Sequence, residues 1–255
     1  FMMYFLSVVL IGTIYPIFLD VLSSQKISVG PPFYHKLIIP FLIPFLMIMA
    51  IGPKLKWIKS NLEDKIYLFT ILVISILLSI TIVKNFSSNF LINTILISSA
   101  LYLFFITLRD FFSKGFKNLA QNTAHFGFSL LILSILFNSL FSSEIITNLK
   151  VGQTFENSKA KIVFESLSQK EGENYKSIIG NFIVQDSNGK MENLSPELRI
   201  YNQPNITTSE ADIKTTLLSD KFIVINLVQN QEFFNVRYQV KPFMLWIWIS
   251  VILIS

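Results

Sequence analysis

The 255 residues contain only two histidines and no cysteine, so imidazoles and carboxylates are the side chains left to carry metal or acid–base chemistry. One of them, His125, lies in the apolar stretch Asn122-Thr123-Ala124-His125-Phe126-Gly127-Phe128-Ser129-Leu130. An ionisable side chain in such surroundings is costly and is a functional candidate by default. A neutral imidazole nitrogen is a good axial ligand for haem iron, and walls of the Phe126 and Phe128 kind suit a porphyrin. Gly127 would let a flat cofactor or a neighbouring helix come close. The alternative is a histidine hydrogen-bonded to an adjacent helix or to interfacial water, and the residues alone leave both open.

The second histidine, His35, follows Gly30-Pro31-Pro32-Phe33-Tyr34. Two consecutive prolines make a stiff segment, because each fixes its own φ and restricts its predecessor. This predicts an outward loop that either presents Phe33 and Tyr34 to a partner or substrate, or simply connects two spans. Without cysteine there is no disulfide, thiolate metal site or cysteine nucleophile. The acidic residues Glu144, Glu156, Glu165, Glu171, Glu173, Glu197 and Glu210 show no metal or acid/base spacing and read as a solvated face. No phosphate loop, nucleophile elbow or HExxH stretch occurs. Asn205-Ile206-Thr207 matches a glycosylation acceptor, a weak signal.

The elements that must position these residues are written in the charge distribution. Hydrophobic residues make up 52% of the chain and charged residues 15%, where soluble domains carry about a quarter charged. No charge falls between residues 1 and 19, 37 and 53, 66 and 83, or 85 and 108. Each gap approaches the roughly 17–25 residues a helix needs to cross hydrocarbon. Six apolar segments follow, at 1–19, 37–53, 66–83, 89–108, 119–141 and 243–255, the last too short to span as it stands. Helix is the expected form, because unpaired backbone groups are too costly in lipid. Both ends of the chain fall inside apolar runs, which predicts truncation at each.

The net charge of +5 is explained by loops rather than by nucleic acid. Lys54, Lys56, Lys59 and Lys65 stand against Glu63 and Asp64 in one loop, and Arg109, Lys114 and Lys117 against Asp110 in another. Basic short loops are cytoplasmic. Alternation then puts residues 20–36, the turn 84–88 and the long region 142–242 on the opposite, periplasm-like face. His125 falls in the first turns of the fifth span, toward the basic side. Trp246 and Trp248, just inside the last segment, read as anchors at the headgroup boundary.

Region 142–242 has strand-like runs at 160–167, 178–185, 197–201, 221–228 and 233–240. Turn signals around Gly172, at Asp186-Ser187-Asn188-Gly189, at Gln203-Pro204-Asn205 and at Gln229-Asn230-Gln231 separate them. Short strands at such spacing predict a small barrel or sandwich. Residues 208–218 are expected to form a short helix capped by Thr208 or Ser209. The expected architecture is a multi-span α-helical membrane protein with one extracytoplasmic β-rich domain inserted before the last transmembrane helix. Its parts are five transmembrane helices over 1–141, the β-rich domain over 142–240 and the start of a final helix over 241–255.

Five segments, in order over nearly the whole chain, carry a family resemblance. They are Gly12-Thr13-Ile14-Tyr15-Pro16, Ile27-Ser28-Val29-Gly30-Pro31-Pro32-Phe33-Tyr34, Ile51-Gly52-Pro53, Ala124-His125-Phe126-Gly127 and Lys241-Pro242-Phe243-(x)2-Trp246-Ile247-Trp248. Together they resemble the C-terminal part of the CcmF family, haem-lyase membrane proteins of cytochrome c maturation. The resemblance implies covalent attachment of haem to the CxxCH motif of apocytochrome c. The implied partners are the haem chaperone CcmE, CcmH-type apocytochrome-presenting proteins, apocytochrome c itself and the lipid bilayer. It also implies a b-type haem (haem b) held in the membrane, one of whose axial histidines lies in an Ala-His-Leu-Gly stretch that aligns with Ala124 to Gly127. His125 inherits that role, with Phe126 and Gly127 beside it.

Departures from the pattern are equally definite. The family's Trp-rich haem-handling segment and its other functional histidines have no counterpart here, and His35 falls where no family ligand is expected. Phe126 stands where the family has Leu. Ile249-Ser250 follows the tryptophans where small residues such as Gly are expected. The implied location is the bacterial inner membrane with region 142–240 periplasmic, or the mitochondrial inner membrane. Rival functions are a transporter of haem or another substrate, which predicts broken helices around a midplane cavity, and a structural membrane anchor.

Overall fold

The computed structural model describes residues 1–23, 27–55, 65–84, 89–113, 118–186, 189–228 and 232–255. Lys56, Lys59, Glu63, Asp64, Lys114 and Lys117 of the basic loops lie outside the described residues, as do the turn residues 85–88, 187–188 and 229–231. The chain divides into two compact units, Phe1–Leu136 with Ile249–Ser255, and Phe137–Trp248.

Apolar helices make up the first unit. They are α1 (Met2–Ser23), α2 (Pro31–Ile51) with a 3-10 turn at Gly52–Lys54, α3 (Lys65–Val83), α4 (Phe90–Ser113), most of α5 (Leu119–Phe141) and the end of α6 (Met244–Ile254). Among the described residues, α1 to α5 are each long and apolar enough to cross a membrane. In α4, 61% of the apolar window is buried, against 11% in α1; α4 packs between α2 and α3, and α1 lies on α2. Small hydroxyl residues let the backbones close up: Ser75, Ser79, Ser98, Ser99, Ser129 and Ser134 are buried. Most of their hydroxyls return to a carbonyl of their own helix, as Ser99 does to Leu96 at 2.8 Å. Thr107 and Ser129 instead also share a hydrogen bond of 2.7 Å between α4 and α5.

The Pro31-Pro32 segment corrects one expectation. Residues 31–36, expected as part of an outward loop, form the start of α2 with Gly30 as its N-cap. Proline is favoured at the first helical positions, where its missing N–H costs nothing and its φ already suits the helix. The same stiffness therefore serves a helix start rather than a presented loop. Tyr34 packs against α1 at Gly12, where a Cβ would lie 2.6 Å from the Tyr34 hydroxyl oxygen.

The second unit is a sandwich of two antiparallel sheets. Its strands are β1 (Ser143–Leu149), β2 (Thr154–Glu156), β3 (Ala160–Glu171), β4 (Tyr175–Asp186), β5 (Met191–Leu194), β6 (Glu197–Tyr201), β7 (Ile206–Glu210), β8 (Asp212–Thr215), β9 (Ser219–Leu227) and β10 (Phe234–Pro242). One sheet runs β1-β10-β9-β8, and the other runs β2-β3-β4-β6-β7 with β5 on β4. Inward residues alternate along the central strands, Ile223 and Ile225 on β9 and Phe234, Val236 and Tyr238 on β10. They meet Phe164 and Phe182, stacked with centroids 4.2 Å apart. Gly180 leaves room for this pair, since a Cβ there would lie 2.7 Å from the Phe182 ring.

Residues 208–218 are not helical. Ile206–Glu210 pairs with β6 and Asp212–Thr215 with β9. The β-branched Ile206, Thr207, Thr208, Ile213 and Thr215 suit a pleated surface better than a helix, and cross-strand pairing decides the matter.

Candidate functional site

Within the helical unit, His125 lines a cleft of about 120 Å³ together with Met49, Ala50 and Pro53 of the α2 end, Ile106, Thr107 and Asp110 of α4, and Asn118, Gln121 and Asn122 of α5. The imidazole is half-buried. At the same place Lys54 Nζ donates to Asp110 Oδ1 at 3.1 Å, with the two side chains 19% and 18% exposed. The cleft is thus a polar notch at the helix ends where the basic connections lie. A second cation is held nearby, the Arg109 guanidinium 3.8 Å above the Tyr67 ring.

The residues beside His125 in sequence turn elsewhere. Phe126 packs on α4, stacked on Phe111 at 5.4 Å and against Phe104 at 5.7 Å. Phe128 meets Phe45 of α2 edge-on at 6.2 Å. Gly127 accommodates α6, since a Cβ there would lie 2.9 Å from Leu253 Cβ and 3.1 Å from the Ile254 backbone nitrogen. Of the two uses expected for this glycine, the structure shows the close neighbouring helix. Gly127→Ala is therefore expected to lower the thermal midpoint of the detergent-solubilised protein, at an overpacking cost of about 1–3 kcal/mol. An unchanged midpoint would mean that α6 is not held there.

The cleft thus brings together an imidazole and the carboxylate of an ion pair. Met49 and the Lys54–Asp110 pair, which sequence reasoning missed as site residues, carry no local motif. Lys54 and Asp110 are joined only by folding. His35 is exposed on α2, apart from the cleft, and Gly30, Pro31, Pro32, Phe33 and Tyr34 do not contribute to it. Asn205 is exposed in a turn before β7.

The sandwich holds a second ionisable group. Lys221 of β9 reaches Asp186 Oδ2 of β4 at 2.8 Å and Glu192 Oε2 of β5 at 3.3 Å, tying one sheet to the other, and Lys190 Nζ lies 2.9 Å from Glu192 Oε1. Glu192 and Lys221 are buried. Burial alone would raise the Glu192 carboxyl, but hydrogen bonds from Lys190 and Lys221 outweigh it and hold it below 4.5. Burial likewise opposes the Lys221 charge, yet Asp186 and Glu192 bring it above 10.5.

Tyr238 is pushed up to about 12, first by burial and then by the carboxylates of Glu192 and Asp186. Its hydroxyl has no hydrogen-bond partner among the described residues. A buried unsatisfied hydroxyl costs about 1–3 kcal/mol, so Tyr238→Phe is expected to be neutral or stabilising in chemical denaturation, and a clear loss would reveal a partner. The sign of the alkaline response follows. A tyrosine kept neutral by the fold contributes stability that is whole below its ordinary 10.0 and falls as pH rises toward about 12, by about 1.4 kcal/mol per pH unit. Tyr238→Phe should flatten that fall.

Fold and site together define a multi-span α-helical membrane protein with a β-sandwich domain. Residues 140–242 match the family model described as the CcmF C-terminal beta-sandwich. The chain is 27% identical to the cytochrome c-type biogenesis protein CcmF of Pseudomonas aeruginosa, covering 98% of this chain and 40% of that protein. It is 26% identical to the CcmF of Escherichia coli over 94% of this chain and 39% of the relative. A solved structure titled Cytochrome c Heme Lyase CcmF has the same fold, with a TM-score of 0.73 and 17% identity over 98% of this chain and 42% of that one. Over nearly its whole length the chain is similar to the C-terminal part of CcmF-type cytochrome c-type biogenesis proteins. It spans about two-fifths of the length of the curated relatives it matches.

Proposed function

We propose that the chain serves in cytochrome c maturation, as part of a haem lyase that joins haem to the CxxCH cysteines of apocytochrome c by thioether bonds. His125 is one axial ligand of a b-type haem in the membrane. The observation that carries this is convergence: Ile51-Gly52-Pro53 and Ala124-His125-Phe126-Gly127, far apart in sequence, supply Pro53 and His125 to one notch. When bound, that haem supplies a one-electron carrier for reducing incoming haem. His125 presents an imidazole nitrogen from α5. Lys54, held by Asp110, offers a cation to a carboxylate substituent in a setting where a charge unpaired would be costly.

The contribution of this chain to the thioether step is orientation of haem and thiols. The basic ends of α2 and α4, with Lys54 and Arg109, face the cytoplasm. The sandwich then stands on the periplasmic side of a bacterial inner membrane, within reach of CcmE, CcmH-type proteins and apocytochrome c.

Holocytochrome c formation by the full-length protein and by its His125→Ala variant tests this. The expected result is loss of maturation with the variant still inserted. Unchanged maturation would overturn the ligand role and favour a structural anchor, and maturation that survives while haem movement across the membrane fails would favour a transporter.

A further inference from the structure

The two-residue tip of the β8–β9 hairpin is Leu217-Leu218, with the side chains 63% and 64% exposed. Hairpin tips are ordinarily Asn, Gly or Asp, and two adjacent leucines gain nothing from facing water. The tip is firmly built. Thr216 N donates to Ser219 O at 3.0 Å and Thr216 Oγ1 to the same carbonyl at 2.7 Å.

Its backbone is tied to the place where the chain enters α6. Phe243 N donates to Leu218 O at 2.8 Å, and the Trp246 indole Nε1 donates to Leu217 O at 3.0 Å. The end of α5 lies at the same level: Asn138 Nδ2 donates to Pro242 O at 2.5 Å, and the Phe137 and Phe243 rings are 5.5 Å apart. The last turn of a membrane-length helix, the first turn of another apolar helix and the leucine tip therefore form one layer. Tryptophan marks the headgroup boundary of such a layer.

We infer that Leu217 and Leu218 insert into the interfacial region of the bilayer, making the β8–β9 tip a lipid-binding foot of the sandwich. The ligand is the acyl–headgroup boundary itself. Continuity with the α5 exit and the Trp246 anchor identifies lipid as the occupant. The inference does not depend on haem binding, and its test contains no haem measurement.

Cysteine is absent from these 255 residues, so once any cysteine elsewhere in the full-length protein is replaced by serine, a single cysteine introduced here takes a fluorescent label alone. Full-length protein carrying Leu218→Cys, or Leu217→Cys as the second variant, is labelled with an environment-sensitive dye and reconstituted in phosphatidylcholine vesicles. Leu227→Cys is the reference, because Leu227 is also apolar and exposed but stands at the other end of β9. The tip labels should be quenched about twofold or more by lipid carrying a shallow nitroxide and be protected from aqueous iodide, as expected at a depth of about 5–10 Å, while Leu227 shows the reverse. Tip labels as open to iodide as Leu227 would overturn the inference. So would labels shielded from iodide but untouched by the nitroxide lipid, which would mean that protein covers the tip.

Discussion

Lys221→Met is expected to destabilise the sandwich by about 3–5 kcal/mol, a large share of the roughly 5–15 kcal/mol that holds a domain together. The substitution nearly preserves side-chain volume, so packing changes little. What it removes is the cation shared by Asp186 and Glu192, leaving the buried Glu192 carboxylate, 4% exposed, to Lys190. Denaturant titration of the full-length protein, followed by the near-ultraviolet signal of the sandwich aromatics, reads the effect. Replacing all three by apolar residues of similar size should recover most of the loss, because burying the ion pairs is itself costly. A loss under about 1 kcal/mol for the single variant would place the cluster among exposed pairs that contribute little.

The same cluster sets the pH limits. Glu192 is held below its ordinary value, so its contribution is present above 4.5 and is lost as pH falls through the depressed value. Lys221 is held above its ordinary value, so its contribution is whole below 10.5 and is lost as pH rises through the elevated one. Stability of the sandwich should therefore be broad and flat through neutrality.

His125→Ala is expected to remove nearly all haem from the purified full-length protein. On the proposed reading His125 supplies the iron-ligating imidazole from α5, and alanine puts no donor in its place. The helix itself should survive. His125 is half-buried and at the rim of the notch, whereas the α4–α5 contacts run through Phe126 and the Thr107–Ser129 hydrogen bond.

Much of the fold is legible without coordinates. Charge-free runs close to the length of a bilayer crossing have few alternatives to helix, and α1 to α5 lie largely on them. Alternating strands are legible where one face is buried, as at 221–228, but not where a strand is short or at an edge. β1, β2 and β5 therefore leave no clear signal, and residues 208–218 carry a pattern that reads as a helix until cross-strand pairing is considered. The diproline was ambiguous by nature, since a fixed φ serves a stiff loop and a helix start alike. Of the site, His125 stood out because its surroundings make it costly. The partners Lys54, 56 residues from the matching Asp110, and Lys221, 35 residues from Asp186, are set by tertiary contacts alone.

The most direct measurement is the reduced visible spectrum and haem-to-protein ratio of purified full-length protein carrying His125→Gly, recorded with and without added imidazole. Loss of the haem bands, with partial return when imidazole fills the vacated space, is the predicted result. A haem content and spectrum equal to those of the unsubstituted protein would contradict the assignment of His125 as a ligand.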